Sequence, residues 1–129
     1  MDFHHIGIAT ADIQKTTESY LALGFTAGDV IFDPIQNVNI SFLQKEMHPL
    51  IELVSPVDEK SPVFDIIKKN GTMPYHLCYE IDDLEESIKQ FKGKRFLQVS
   101  KPAPAIAFQN RRICFMYNRH IGLLELLEK

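Results

Sequence analysis

An internal repeat restricts this chain's fold more than any other feature. His5-Ile6-Gly7-Ile8 opens a stretch that runs through Asp12, Ile13 and Tyr20 to Phe25. His76-Leu77-Cys78-Tyr79 opens a second that runs through Asp83, Leu84 and Phe91 to Phe96, at a constant offset of 71 residues. Each copy then reaches an apolar run with one central carboxylate. These are LIELV around Glu52 and LLELL around Glu125, 47 residues after His5 and 49 after His76. At 129 residues the chain is one compact domain by size, or two fused half-size modules.

The hydrophobic pattern gives each copy the order βαβββ. Phe3 to Thr10 reads as a first strand. Asp12 is placed to N-cap a helix that runs to about Leu23, with Ile13, Thr17, Tyr20 and Leu21 along one face and Gly24 as the C-cap. Phe25 to Phe32, Val38 to Leu43 and Leu50 to Val54 read as three further strands. Module one therefore covers about residues 1–55. A linker of about 56–72, with Pro56, Pro62 and a short helix over Val63 to Lys69, leads to module two at about 73–129. There Tyr75 to Ile81 is a strand, Asp82 or Asp83 caps a helix through Leu84, Ile88 and Phe91, and strands follow near 95–99, 112–117 and 122–127. The Pro/Ala-rich stretch 101–110 includes a candidate strand around Ala105 to Phe108. The expected fold class is α+β, with two tandem βαβββ modules and largely antiparallel sheets.

Composition narrows the function classes. A net charge of −3 without a basic run gives no reason to expect nucleic acid or an anionic membrane. No apolar run approaches the roughly 20 residues that a bilayer span requires. The start at Met1 enters a strand pattern at once with no targeting segment, and Cys78 and Cys114 sit in apolar runs as buried free thiols, so a cytoplasmic location is expected.

The chemistry is carried by His5, Glu52, His76 and Glu125. Neighbours on a strand alternate faces, so Glu52 shares its face with Leu50 and Val54, and Glu125 shares its face with Leu123 and Leu127. An ionised carboxylate on an apolar face is costly unless it is paired or bound to a cation. Two imidazoles and two carboxylates suit a divalent Zn, Ni, Co, Mn or Fe(II) ion, with room for solvent or substrate at the remaining positions. His4 points to the face opposite His5, and His48 and His120 read as surface residues.

At these residues the sequence resembles the vicinal oxygen chelate superfamily, also called the glyoxalase/bleomycin-resistance/dioxygenase fold. The matching strings are HHIGIATADI, IELVSP, SPVFDIIKKNG, YHLCYEIDDLEESI and GLLELLEK, which together span nearly the whole chain. They look most like the methylmalonyl-CoA epimerase and bacterial glyoxalase-like branch. The resemblance implies that the two modules form a half-open barrel around a metal held by His5, Glu52, His76 and Glu125. It also implies a homodimer, with ligands drawn from one chain or from two.

Two departures bear on activity. Epimerases of this branch look to have Gln where Glu52 stands, whereas glyoxalase I has Glu. The epimerases also carry a glutamate base at the start of the third strand, where this chain has Ile35, with Asp33 as the nearby acid. Bacterial glyoxalases, for their part, often have an Arg four residues after the first His that helps bind glutathione, where this chain has Ala9. The expectation is a metal-dependent lyase or isomerase of glyoxalase (lactoylglutathione lyase) type. It would act on the thiol adduct of a small 2-oxoaldehyde, with glutathione or another thiol as co-substrate. Glu125 or Glu52 would be the base, Glu125 preferred by analogy. Arg111 or Arg112 would hold a substrate carboxylate or phosphate, and Phe42, Phe108 and Met116 would be pocket walls. The alternatives are an acyl-CoA epimerase of the methylmalonyl-CoA type and a non-catalytic small-molecule binder of the drug-resistance type.

Overall fold

The computed structural model describes residues 1–129 and is a mixed α+β fold of ten strands and three helices. The chain divides into two compact units, His5–Tyr75 and Met1–His4 together with His76–Lys129.

The first unit holds most of β1 (Asp2–Ala9), then α1 (Ile13–Ala22), β2 (Thr26–Ala27), β3 (Ile31–Asp33), β4 (Val38–Gln44), β5 (Leu50–Pro56) and α2 (Phe64–Asn70). Asp12 starts α1 as expected: its backbone is extended and its carboxylate accepts the Lys15 N–H at 3.0 Å, satisfying one of the helix's orphan donors. The chain leaves the helix through Gly24 at φ +90°, a conformation that disfavours any side chain. Of the expected helix face, Ile13 is buried and Tyr20 packs edge-on against Phe25 at 5.2 Å, but Leu21 is 48% exposed.

The run Phe25 to Phe32, read as one strand, is two short ones. Gly28, Asp29 and Val30 interrupt it, and although the Gly28 N–H still reaches Phe42 O at 2.9 Å, strand pairing with β4 is confined to the two ends. Antiparallel pairing joins β4 to β5, whereas β1 and β5 are parallel, with Gly7 opposite Glu52. One face of this sheet, with Ile8, Leu43, Ile51 and Leu53, packs against Ile13, Phe25 and Tyr20 as the core of the unit.

The second unit repeats the scheme with β6 (Met73–Ile81), α3 (Leu84–Gly93), β7 (Leu97–Gln98), β8 (Ala103–Ala105), a 3-10 turn (Ile106–Phe108), β9 (Arg111–Asn118) and β10 (Gly122–Glu128). Asp83, not Asp82, is the N-cap and accepts the Glu86 N–H at 2.9 Å. Glu85 and Glu86 in the first turn and Lys92 in the last complement the helix dipole. Again β6 and β10 are parallel while β9 and β10 are antiparallel. Leu84 and Ile88 of α3 pack on Cys114, Met116, Leu124 and Leu126. The expected strand over Ala105 to Phe108 stops at Ala105, and Phe108 lies in the 3-10 turn.

Candidate metal centre

Each unit places one histidine and one glutamate together on the sheet face away from its helix. In the first unit His5 comes from β1 and Glu52 from β5, and the parallel pairing of these strands sets Nε2 of His5 3.5 Å from Oε1 of Glu52. In the second unit the parallel pair β6 and β10 sets Nε2 of His76 2.9 Å from Oε2 of Glu125. All four side chains are at least 96% buried. Burial of a carboxylate is tolerated only where a cationic or hydrogen-bonding partner offsets its lost hydration. The doubled imidazole–carboxylate pair is such an arrangement, and its nitrogen and oxygen donors are those that divalent transition metals take.

The sheet register identifies what surrounds each pair. Phe42 lies across from Glu52, and its ring meets the His5 imidazole edge to face at 6.3 Å. Phe115 lies across from Glu125 and meets His76 in the same way at 5.5 Å. Each unit therefore carries a His–Glu–Phe trio. Phe42 and Phe115 are 73 residues apart, the same offset as Glu52 and Glu125. That shared offset was the sequence signal for Phe115, which the sequence reading passed over in favour of Met116.

Met116, expected as a pocket wall, points the other way. It is fully buried against α3 with Leu84, Ile88 and Cys114, because it is one residue out of phase with Phe115 and strand neighbours alternate faces. Phe108 packs edge-on against His4 at 5.4 Å from its 3-10 turn rather than from a strand.

The two arginines part in the same manner. Arg111 shares the face of Phe115 but donates to Glu80 at 2.7 Å. Arg112 lies on the helix side. Its Nε and Nη2 grip Glu128 at 2.8 Å each, and Nη1 and Nη2 reach Glu85 at 2.6 and 2.9 Å. These hydrogen bonds raise the guanidinium pKa further and hold both carboxyls below the usual carboxylate range. The donors expected to meet a substrate are thus committed within the protein.

Asp33 is buried on the Phe42 face of the first unit, at the end of β3. It accepts the N–H groups of Ile35 and Gln36 at 2.9 and 3.0 Å and the Gln36 side-chain amide at 2.8 Å, which makes it the organiser of the turn into β4. His48 and His120 are exposed, as expected. Both cysteines are buried, and burial pushes the Cys114 thiol up, away from a nucleophilic role. No helix is long and apolar enough to cross a membrane.

Fold and site define the class. The chain belongs to the Glyoxalase/Bleomycin resistance protein/Dioxygenase superfamily, whose family model matches residues 4–115. Among its relatives, the mitochondrial methylmalonyl-CoA epimerase of Dictyostelium discoideum is 27% identical over 98% of this chain and 77% of that protein. The ethylmalonyl-CoA/methylmalonyl-CoA epimerase of Cereibacter sphaeroides is 26% identical over 98% of this chain and 96% of that one. The crystal structure of methylmalonyl-CoA epimerase from Mycobacterium tuberculosis superimposes with a TM-score of 0.85 at 26% identity, covering 98% of this chain and 87% of that one.

These relatives correct the sequence reading. They support an enzyme of isomerase type, and they overturn the expected glyoxalase-type lyase, because the similar proteins are named as epimerases of CoA thioesters. Glutathione as co-substrate has no support among them.

Proposed function

We propose that this chain is a metal-dependent epimerase that inverts the configuration at C2 of a 2-substituted malonyl-CoA thioester. The observation that carries the reading is the doubled, buried His–Glu pair, placed on register-equivalent strands of a chain whose relatives are named as such epimerases. His5, Glu52, His76 and Glu125 would hold one divalent ion drawn from Zn, Ni, Co, Mn or Fe(II). When bound, the ion supplies a positive charge that lowers the energy of the oxyanion developing on the thioester carbonyl.

The protein's own part is proton transfer and exclusion of water. Glu125 accepts the proton from C2, which leaves the electron pair delocalised into the thioester carbonyl and C2 planar. Protonated Glu52, the other ligand carboxylate, would give its proton to the opposite face of C2 and complete the inversion, leaving Glu125 protonated and Glu52 ionised until the two re-equilibrate. Glu125 is almost fully buried beside His76, so a proton it accepts is shielded from exchange with bulk water. The glutamate base that epimerases look to carry is replaced here by Ile35, so the ligand carboxylates are the bases this chain offers.

The test follows C2 proton exchange of methylmalonyl-CoA in D2O by NMR, with chelator-stripped and metal-reconstituted protein, beside the glutathione–methylglyoxal adduct. Exchange that is lost on stripping and restored by metal, with the adduct left unchanged, is expected. Glu125→Gln is expected to retain metal while kcat falls by roughly 10²–10⁴. Full activity in that variant, or exchange indifferent to metal, refutes the reading.

A further inference from the structure

Beyond the proposed reaction centre, the second unit carries two arginines that no carboxylate neutralises. Arg111 and Arg112 are engaged by Glu80, Glu85 and Glu128. Arg95 and Arg119 have no such partner, although the chain as a whole is acidic. They line a cavity of about 360 Å³ together with His120, Asn118, Leu97 and Tyr117.

The frame of this cavity is built. Arg95 follows α3 with φ +68°, its N–H bound to Lys92 O at 3.1 Å. Arg119 and His120 form the turn between β9 and β10. There Asn118 Oδ1 accepts the His120 N–H at 2.9 Å, and Nε of Arg119 donates to the His120 ring at 3.1 Å. The walls are apolar: Leu97 pairs with Tyr117 across the strands, and they are 66% and 41% exposed.

Register relates this cavity to the ligand face of the same unit. Tyr117 lies two residues beyond Phe115, opposite Leu123, and so shares the face of Glu125. At about 3.4 Å per residue, the end of β9 at Asn118 is roughly 10 Å along the strand from Phe115, and Arg119 follows it in the turn. An extended pantetheine arm, with a backbone of about a dozen bonds, spans the same distance as roughly four extended residues. A CoA thioester with its acyl group at Glu125 would therefore bring its phosphates to the arginines and its adenosine to the exposed Tyr117 and Leu97. Guanidinium groups match phosphate oxygens bidentately, and an aromatic ring beside them suits a base.

We propose that Arg95, Arg119, Tyr117 and Leu97 form the subsite for the phosphate-bearing end of the CoA thioester. This proposal rests on the function proposed above and extends it from the reacting acyl group to the carrier. The test compares wild type with the double variant Arg95→Ala/Arg119→Ala on two substrates, methylmalonyl-CoA and methylmalonyl-pantetheine. The second keeps the thioester and lacks the phosphates and adenosine.

In the double variant KM for the CoA thioester is expected to rise roughly 10- to 100-fold with kcat little changed. Its kinetics on the pantetheine thioester should match those of wild type, and wild-type KM for the CoA thioester should climb with ionic strength more steeply than the variant's. An unchanged KM for the CoA thioester, or equal losses on both substrates, overturns the subsite. If wild type turns over neither thioester, it is the proposed reaction that fails. Calorimetric binding of free CoA to wild type and variant then decides the subsite separately: weaker binding by the variant upholds it, and equal or absent binding overturns it.

Discussion

Phe115 and Met116 are adjacent on β9, yet their substitution should have opposite consequences. Met116 is fully buried among Ile81, Leu84, Ile88, Leu124 and Leu126. Truncation to alanine leaves a cavity between strand and helix and costs about 2–5 kcal/mol. With an unfolding entropy of about 2.1 cal/mol/K per residue, 129 residues give a Tm change of about 3.7 °C per kcal/mol. A mid-range loss of about 3 kcal/mol thus lowers Tm by roughly 11 °C. The His76 and Glu125 face is untouched by this change, so metal affinity should stay within about threefold of wild type.

Phe115 is only partly buried, and its replacement by alanine should cost less stability, about 2 kcal/mol including the edge contact with His76. The imidazole then loses the ring that fixes its orientation, and metal affinity should fall by roughly 10- to 100-fold, as when the outer partner of a ligand is removed. Thermal melts of metal-free protein and competition titrations against a chromophoric chelator give the two readouts. If Met116→Ala weakens metal binding and Phe115→Ala leaves it intact, the assignment of faces from strand register would be wrong.

Two other perturbations probe the frame of the second unit. Asp83→Ala removes the N-cap of α3 and should cost about 1 kcal/mol in chemical denaturation, with Asp83→Asn recovering most of the loss; no loss with alanine would show that the cap contributes nothing. Arg112→Met should leave an acid-dependent trace. Glu85 and Glu128 are held below the usual carboxylate pKa chiefly by hydrogen bonds from Arg112, so their stabilising contribution is complete above their ordinary values, about 4.3, and is lost as pH falls through the depressed ones. Wild type and variant should differ in Tm by a constant amount above about pH 5 and converge as the pH falls through the depressed values, and a gap that persists in strong acid would count against the pairing.

Much of the candidate site was legible in the chain because repetition and alternation are local properties. The offset of 71 residues paired His5 with His76, and a carboxylate inside an apolar strand run marked Glu52 and Glu125 without knowledge of any neighbour. The caps at Asp12 and Asp83 were equally local, since a side chain needs to reach only three residues onward. The strand that broke at Gly28 and the one that ended at Ala105 were misread because apolar runs do not reveal where a partner strand stops.

The fates of Arg111, Arg112 and Met116 were beyond sequence reasoning for a related reason. Whether an arginine meets a substrate or a carboxylate depends on what the register brings beside it, and Glu80, Glu85 and Glu128 lie up to 31 residues away in the chain. A shift of one residue along β9 exchanges the face of the metal ligands for the face of the helix. By itself the sequence determined the repeat and the two His–Glu pairs, which follow from residue type and spacing, and its motif strings carried the resemblance to the family. Only the tertiary structure decided that Phe115 rather than Met116 stands beside His76, and that Arg95 and Arg119, not Arg111 and Arg112, keep their charge available. Both depend on strand pairing, which brings distant residues together and leaves others without a partner.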